Sequence, residues 1–379
     1  MCKSDTNIDE MIKAFELHRS QPEVSFDEHV RNKKIELGRS LDGLKAIYLD
    51  TRYWIFIRDA LLKKPQHSSH TKLLNLLQEL VIQKKIFCPI SDVTLVEILK
   101  QTDPNSRRAL ALLVDQLSFG ISFCPEEERT GTELAHFLYG SVFEKQNLHP
   151  LRWLIWTKIT NALSTPQVSV PSVNEVENLV IQKAFFDHLW DVSYSVMIET
   201  MGIEKNLPKM PYDELAIKMN TLNQHYSNEV KSYKATYMRE FAGALDLKMD
   251  VVKDISEAIR EKIVTYTSSS DSNNNLEQHL FSIFTEAARK GLISEILPTL
   301  HINAHCHASI RFDKQRKING NDIPDFHHAR TALPYCVAFL TENPLKVLLT
   351  SGNAKLDKDY RCKIISDSAE ALVFVETLI

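Results

Sequence analysis

The sequence predicts an α/β protein whose parallel sheet is interrupted along the chain by a large all-helical insertion. Short apolar strands alternate with amphipathic helices over residues 41–125, and the same alternation resumes after about residue 300. Strands separated by helices form parallel sheets that are covered on both faces, so the two stretches are expected to complete one sheet. Between them, residues 126–300 show helical spacing of apolar residues and almost no strand signal.

The composition is that of a globular protein with a sizeable core. Of the 379 residues, 44% are hydrophobic and 25% are charged, and the net charge of −4 gives no global basic field. We expect a cytoplasmic protein without a membrane partner, because no apolar run reaches the roughly 18 residues of a membrane span and the amino terminus lacks a secretory signal. The six cysteines show no C-x-x-C spacing and are expected to be reduced core residues.

The first half of the predicted sheet lies in residues 41–125, after a helical lead-in over residues 1–40 that Pro22 interrupts. Strands are predicted at residues 46–49, 86–89 and 121–123. Helices are predicted at residues 53–63, 73–84, 92–101 and 106–117. The third of these helices follows Ser91, which is a suitable N-cap residue.

The second half of the sheet is expected within residues 301–379, after the insertion over residues 126–300. It contains a predicted helix at 322–333 and predicted strands at 337–340 and 363–365. Inside the insertion, polar loops are expected at 164–174 and 267–275. The insertion core is expected to contain Trp153, Trp156 and Trp190.

Five acidic residues occupy similar places in the predicted topology. Asp50 and Glu342 each follow a strand, Glu97 lies in a short helix after a strand, and a later helix begins at Asp322 and Asp325. In a parallel sheet, the carboxyl ends of strands and the amino ends of the following helices share one edge, which is where ligands bind. These acidic side chains are therefore expected to converge.

Converging carboxylates repel one another unless a cation lies between them. Mg²⁺ and Mn²⁺ take oxygen ligands, and two such ions can orient a water molecule and stabilise a phosphate leaving group. Each acid also has a purely structural explanation: Asp50 and Asp322 are suitable helix caps, and Asp325 would favour a helix amino terminus. Their joint placement at one edge favours a site.

Four segments together resemble the PIN-like nuclease superfamily (PIN domain). They are "AIYLDT", "CPISDVTLVEIL", "NDIPDFHHARTALPYCVAFLTENP" and "KIISDSAEALVFV", within residues 41–125 and 300–379. The resemblance implies a PIN-like three-layer fold with a central parallel sheet, and hydrolysis of RNA with Mg²⁺ or Mn²⁺. The insertion has no counterpart in it.

Carried over by position, the resemblance implies catalytic metal ligands at Asp50, Glu97, Asp325 and Glu342. It adds Asp322 as a further metal ligand, with Thr341 and Asn343 as substrate-binding residues. One position departs from the family, which more commonly has Asp where this chain has Glu342. A longer side chain there changes the ligand geometry, and some family members are inactive scaffolds.

The insertion contains a second candidate region, in which tyrosines are interleaved with basic residues over 223–240. Lysines beside aromatic rings can hold phosphates and stack bases, so Lys231 and Lys234 are candidate substrate-binding residues. The alternative is an ordinary helix whose tyrosines, Tyr226, Tyr233 and Tyr237, face the core.

A third candidate lies at the start of the second half. His301 and His305 are four residues apart and could share a zinc ion on a helix, but no second ligand pair accompanies them. Cys306 has no oxyanion signature beside it, and His327 and His328 are expected to be packed or solvated, with substrate phosphate as an alternative contact.

The expected function is that of a metal-dependent ribonuclease that uses Mg²⁺ or Mn²⁺. Two alternatives remain open at this point. One is a catalytically inactive PIN-like binding or assembly module, and the other is a different metal-dependent phosphohydrolase. The insertion is expected to shape the RNA groove or to bind a protein partner, including a second copy of the chain.

Overall fold

The computed structural model describes residues 3–64, 68–143, 148–201, 210–264, 276–313 and 315–379. The strands in these ranges are β1 (Lys45–Leu49), β2 (Ile86–Phe87), β3 (Ile121–Phe123), β4 (Trp156–Lys158), β5 (Ala338–Leu340) and β6 (Lys363–Ile365). The helices of the lead-in and the first half are α1 (Lys3–Arg19), α2 (Phe26–Ser40), α3 (Thr51–Leu61), α4 (Ser68–Ile82), α5 (Asp92–Leu99) and α6 (Pro104–Ser118).

The described helices of the insertion are α7 (Glu126–Val142), α8 (Leu151–Leu154), α9 (Glu175–Trp190), α10 (Tyr194–Met201), α11 (Tyr212–His225), α12 (Tyr233–Asp246), α13 (Met249–Val264), α14 (Leu276–Arg289) and α15 (Ile293–Ile296). Those that follow are α16 (Pro298–Phe312), α17 (Asp322–Ala332), α18 (Asn343–Thr350), α19 (Leu356–Asp359) and α20 (Ser368–Glu376).

The strands on the two sides of the insertion form one parallel sheet of four strands, in the order β2-β1-β5-β6. In register, Leu49 pairs with Leu340, which pairs in turn with Ile365. A parallel bridge between Ile90 and Ser122 joins β3 to the chain just after β2. The expectation that two distant stretches complete one parallel sheet is therefore confirmed.

Strand β4 was missed by the sequence pattern. It is only three residues long, lies inside the expected all-helical insertion, and pairs antiparallel with β3. A strand of this length offers no alternation to detect, and it exists because its partner is already in place. The other strands agree with the expected positions, and those at 121–123 and 363–365 have the same bounds.

The sheet has a hydrophobic core on each face because its side chains alternate. Ile47 and Leu49 of β1 face a core formed with α3, α4, α5, α6 and α20, whereas Ala46 and Tyr48 face a core formed with α16, α17 and α18. The protein therefore has helices on both sides of a small parallel sheet.

The insertion has a core of its own, built from α7, α12, α13, α14, α15 and α16. Other parts of it pack onto the sheet: Tyr194 joins the first core, and Ala216 joins the second. The sequence boundary at residue 125 is therefore not a boundary of packing. The loop at 164–174 contains no helix or strand, as expected, whereas the loop expected at 267–275 lies outside the described residues.

The three tryptophans expected in the insertion core lie elsewhere. Trp156 packs in the second sheet core, Trp190 packs against Val30 of the lead-in, and the Trp153 indole donates to Asp42 at 3.0 Å. Composition alone could not distinguish these environments, of which two bury the ring and that of Trp153 covers it only in part.

Among the described residues, no helix is both long and apolar enough to cross a membrane. Cysteines in the described ranges are buried and free, as expected for core residues: Cys88, Cys124, Cys306, Cys336 and Cys362. Cys2 lies outside the described residues.

Candidate metal and catalytic site

Asp50 lies directly after β1, at the edge where the carboxyl ends of the parallel strands meet. Its backbone N–H donates to the Leu340 carbonyl at 3.0 Å, which continues the β1–β5 ladder. Its Oδ1 accepts from the Tyr53 backbone N–H at 3.0 Å and so caps α3. The structural explanation of Asp50 is therefore correct, and it does not exclude a second role for a carboxyl group that is only 4% exposed.

The neighbouring strand β5 brings Thr341 and Glu342 to the same edge. The Thr341 backbone N–H donates to the Ile365 carbonyl at 2.8 Å, and its buried hydroxyl, which has no hydrogen-bond partner among the described residues, is near enough to Asp50 to lower the pKa of that carboxyl group. Glu342 follows at the amino end of α18 with its side chain 45% exposed and 3.7 Å from the Arg52 guanidinium. The residue that departs from the family pattern is thus at the expected edge, on its solvent side.

Helix α17 supplies Asp325 and, one turn later, His328. The His328 Nε2–H donates to Glu97 Oε2 at 3.0 Å, and the His328 Nδ1 lies 2.7 Å from the Tyr48 hydroxyl. The Thr51 hydroxyl also donates to Glu97 Oε2. Glu97 is therefore held between the first turn of α3 and α17, although it comes from α5.

Tyr48 is a buried hub beneath these residues. Its hydroxyl lies 2.6 Å from Ser91 Oγ, 2.9 Å from Thr94 Oγ1 and 2.7 Å from His328 Nδ1. When His328 is neutral and donates through Nε2, its Nδ1 accepts from Tyr48. The hub fixes the ring of His328 and, through it, the position of Glu97.

The electrostatics separate the carboxyl groups into two kinds. Burial raises the pKa of Asp50 to about 6, against the opposing effects of His328 and of hydrogen bonds. Burial, together with the charges of Asp50, Glu342 and Glu97, raises the pKa of Asp325 to about 7. Burial acts in the same direction on Glu97, but the hydrogen bond and charge of His328 lower its pKa below the ordinary value.

The charges of three other acids, Asp50, Glu97 and Glu342, each raise the pKa of Asp325. The four acids come from separate elements, and the other three lie within electrostatic reach of Asp325. Their oxygen donors suit Mg²⁺ or Mn²⁺. Within the described ranges, they are not among the groups whose ligand atoms all lie within 4.8 Å of one another. Since Mg²⁺ keeps several of its waters, the donor set fits a hydrated cation that is held partly through water.

Asp322, which was expected to be a further metal ligand, has another role in the structure. Its Oδ1 accepts from the Arg316 guanidinium at 3.0 Å, and its Oδ2 accepts from the Asn319 backbone N–H at 2.8 Å. With both oxygens used in the turn before α17, Asp322 stabilises that turn. A spacing of three residues could not show this, because the partners come from the preceding loop.

The expected substrate-binding residues lie in two places. Asn343 is exposed beside Glu342, and its Oδ1 accepts from the Ser366 hydroxyl at 3.3 Å. Lys231 and Lys234 are exposed at the beginning of α12, whereas Tyr233 and Tyr237 pack inward against α16. The core-facing explanation is confirmed for these two tyrosines, whereas Tyr226 is 41% exposed.

Sequence reasoning missed three residues at the rim of the acidic group. Arg52 is half-exposed and pairs with Glu342, while the Lys100 ammonium lies 5.3 Å from the centre of the Tyr212 ring. Burial and the charge of Glu97 raise the pKa of Tyr212, which places this ring of the insertion near the site. Arg52 could have been found from its position two residues after Asp50, but Tyr212 could not.

A second acidic cluster lies on the other side of α17. His327 Nε2 is 2.8 Å from Glu126 Oε2 and 3.3 Å from Asp92 Oδ1, and an Arg330 nitrogen is 2.9 Å from Glu126. Although burial opposes charge here, Arg330 and His327 hold the pKa of Glu126 well below its usual range. Here the protein itself supplies the cations.

The pockets that the structure forms elsewhere do not include these acids. One, of about 250 Å³, lies between α11, α12 and α16 and is lined by residues that include Tyr226 and Arg311. Another, of about 420 Å³, lies beside Asp187 and Met11. The acidic group lies instead at the carboxyl edge of the sheet, where Asp50 is 4% exposed and the Glu342 side chain is 45% exposed.

Comparisons with known proteins add no constraint to this reading. No protein-family model, no curated protein and no solved structure matches the chain. The structure defines the class as a mixed α/β protein with a small parallel sheet.

Proposed function

We propose that this protein is a metal-dependent nuclease, with RNA as the favoured substrate, on a PIN-like fold. The observation that supports the proposal is convergence: Asp50, Glu97, Asp325 and Glu342 come from four separate elements and meet at the carboxyl ends of β1 and β5. Like charges that folding brings together raise the free energy of the folded state unless a cation neutralises them. Parallel sheets bind ligands at this edge.

The four acids would hold Mg²⁺ or Mn²⁺, which supplies Lewis acidity and lowers the pKa of water. Asp50 is rigid because its Oδ1 also caps α3, and Glu97 is rigid because His328 and Thr51 donate to it. Asp325 lies within electrostatic reach of both. Glu342 is the most exposed of the set and is best placed to adjust when a substrate binds.

The rim would bind the nucleic acid. Arg52 presents a guanidinium beside Glu342, and Lys100 presents an ammonium over Tyr212, so both can contact backbone phosphates. Tyr212 offers a ring for base stacking. Thr341 and Asn343 lie beside the acids on β5 and α18, and we keep both as substrate-binding candidates.

The insertion contributes to this rim through α11. The Ile318 backbone N–H donates to Asn220 Oδ1 at 2.9 Å, and the Asn220 side chain donates to the Ile318 carbonyl at 2.7 Å. These bonds fix α11 to the loop before α17, and Tyr212 is its first residue. Lys231 and Lys234 remain candidates for contacts to a longer RNA or to a protein partner.

The test is cleavage of a single-stranded RNA with Mn²⁺ or Mg²⁺ by three forms of the full chain. Asp50→Asn and Asp325→Asn are each expected to lower the rate at least about 100-fold, since a ligand loss costs no less than the loss of an outer-shell partner. Asp103→Asn is a matched control, because Asp103 caps α6 through a bond to Ser106 as Asp50 caps α3. Equal rates in all forms would refute the assigned site.

One observation favours an inactive binding or assembly module instead. Glu342 replaces the more common Asp, is half-exposed and already pairs with Arg52, while the acids are spaced more widely than a preassembled metal group. Titration calorimetry with Mn²⁺ separates the two functions. Binding that Asp325→Asn removes supports the nuclease, and no binding to the wild type supports the module. A panel of phosphate esters tests for another phosphohydrolase.

A further inference from the structure

A second group of metal-ligating side chains lies away from the acidic edge. His301 and His305 are one turn apart on α16, and Asp359 ends the short helix α19. One ligand atom from each of the three residues lies within 4.8 Å of the other two. The closest approach that the structure gives is 3.2 Å, between His301 Nε2 and Asp359 Oδ2. The sequence could show the histidine pair, but only folding brings the third ligand to it.

Two tyrosines of α12 orient the histidine rings. The Tyr237 hydroxyl is 2.9 Å from His301 Nδ1, and the Tyr233 hydroxyl is 2.8 Å from His305 Nδ1. Both imidazoles therefore use Nδ1 for a partner in the protein, which leaves Nε2 as the ligand nitrogen. Metal-ligating histidines characteristically have such an outer partner on the other ring nitrogen, which sets the tautomer and the orientation of the ring.

A comparison within the molecule shows what makes this group suitable for a cation. His18, His29 and Asp187 form a similar group, with Asp187 Oδ2 2.8 Å from His18 Nε2. There, however, the Lys33 ammonium lies 3.1 Å from Asp187 Oδ1 and already serves as the cation. The described residues around His301, His305 and Asp359 include no lysine or arginine ion pair with Asp359.

We propose that His301, His305 and Asp359, which all lie in the second half of the chain, form a zinc site beside helix α12 of the insertion. Two imidazole nitrogens and one carboxylate oxygen suit Zn²⁺ better than Mg²⁺, and three protein ligands leave a fourth position for water. The ion would join α16 to α19, and through the two tyrosines it would also order α12. The proposal does not depend on the nuclease assignment.

The first experiment is titration of the metal-free full chain with Zn²⁺, in excess Mg²⁺ to occupy the acidic edge. We expect one high-affinity zinc per chain and a rise in the melting temperature. Asp359→Asn, at a position that is 38% exposed and so tolerant of substitution, should lower the affinity at least about tenfold. Asp357→Asn, at an exposed position on the same helix, should bind like the wild type.

Co²⁺ substitution gives a second readout that a merely stabilising salt bridge would not produce. Tetrahedral nitrogen and oxygen ligation should give intense visible absorption in the wild type and in Asp357→Asn, and weak absorption in Asp359→Asn. Tyr237→Phe should lower zinc affinity about tenfold while the protein stays folded. Zinc binding of unchanged affinity in Asp359→Asn, or no binding in the wild type, would overturn the proposal and leave a histidine–tyrosine packing network. Asp50→Asn should leave zinc binding intact, which keeps this outcome separate from that of the nuclease test.

Discussion

The two acidic clusters on either side of α17 are similar in burial and opposite in electrostatics. On one side, His327 and Arg330 pair with Glu126 and hold the pKa of that carboxyl group far below its usual range. On the other side, burial raises the pKa of Asp50 to about 6 and, with neighbouring carboxylates, that of Asp325 to about 7. Two consecutive histidines, His327 and His328, face the two clusters.

The difference in pKa separates carboxyl groups that cations of the protein neutralise from carboxyl groups whose pKa burial raises. A buried carboxylate that already has an arginine and a histidine as partners is satisfied, and its charge is part of the fold. A buried carboxylate whose neighbours are other carboxylates is stabilised by whatever cation it can bind. The proposal of a metal site therefore rests on the cluster that contains Asp50 and Asp325, and the following changes are expected to distinguish it from the cluster around Glu126.

The largest effect on stability is expected from Glu126→Gln. Removing one partner of a largely buried ion pair leaves Arg330 without its counter-charge and His327 with Asp92 alone, which costs about 3–5 kcal/mol. Urea unfolding at pH 8 measures the loss, and the RNA cleavage rate of the folded variant should stay near that of the wild type. A loss below about 1 kcal/mol would show that the cluster is not a structural ion pair.

Asp50→Asn is expected to raise the free energy of unfolding, in contrast to Glu126→Gln, which is expected to lower it. The pKa of Asp50 rises from 3.8 to about 6 on folding, so ionising it in the folded state costs on the order of 3 kcal/mol at about 1.4 kcal/mol per pKa unit. Asparagine can still cap α3. The variant should match the wild type near pH 4 and become more stable as the pH rises through 6, to a full difference by pH 8.

Unfolding of wild type and Asp50→Asn across pH 4–8, without divalent cations, measures this difference. The sign follows from linkage: a carboxyl group with a raised pKa stabilises the fold below its unfolded pKa and loses that contribution as the pH rises through its folded pKa. If Asp50→Asn were less stable than the wild type at pH 8, the cap would outweigh the buried charge.

Addition of Mn²⁺ is expected to stabilise the wild type by about 2.7 kcal/mol at 100 times its dissociation constant. Protons compete for Asp50 and Asp325, whose pKa values are about 6 and 7, so the stabilisation should shrink as the pH falls from 8 to 5. Melting curves with Mn²⁺ and then with a chelator measure it. Stabilisation that is independent of pH would place the ion elsewhere.

The smallest effect is expected from Tyr48→Phe, which removes the hydroxyl shared by Ser91, Thr94 and His328. Ser91 and Thr94 keep their own contact at 3.1 Å, so the cost should be about 1–2 kcal/mol. Because the hub orients His328 and so Glu97, the cleavage rate should also fall, by less than for Asp50→Asn. Unfolding and cleavage measured on one preparation test both, and unchanged values would show that the hub supports neither.

Much of the first half of the fold could be predicted, because its signals are local. A continuous apolar run defines β1, and Ser91 accepts from the Thr94 backbone N–H at the beginning of α5 as its position indicated. The placement of Asp50, Glu97, Asp325 and Glu342 at one edge followed from topology. The role of Asp322 did not, since its partners in the 316–319 turn depend on the path of a loop.

The sequence by itself determined that the strands of the four-stranded sheet are parallel, that two separated stretches share this sheet, and which acids end at its carboxyl edge. These follow from side-chain periodicity and from the direction of the chain, which are properties of nearby residues. Only the tertiary structure decided which of the buried acids have cations and which do not, and that Asp359 lies beside His301 and His305. Charge compensation depends on distances between residues far apart in the chain, which no local pattern contains.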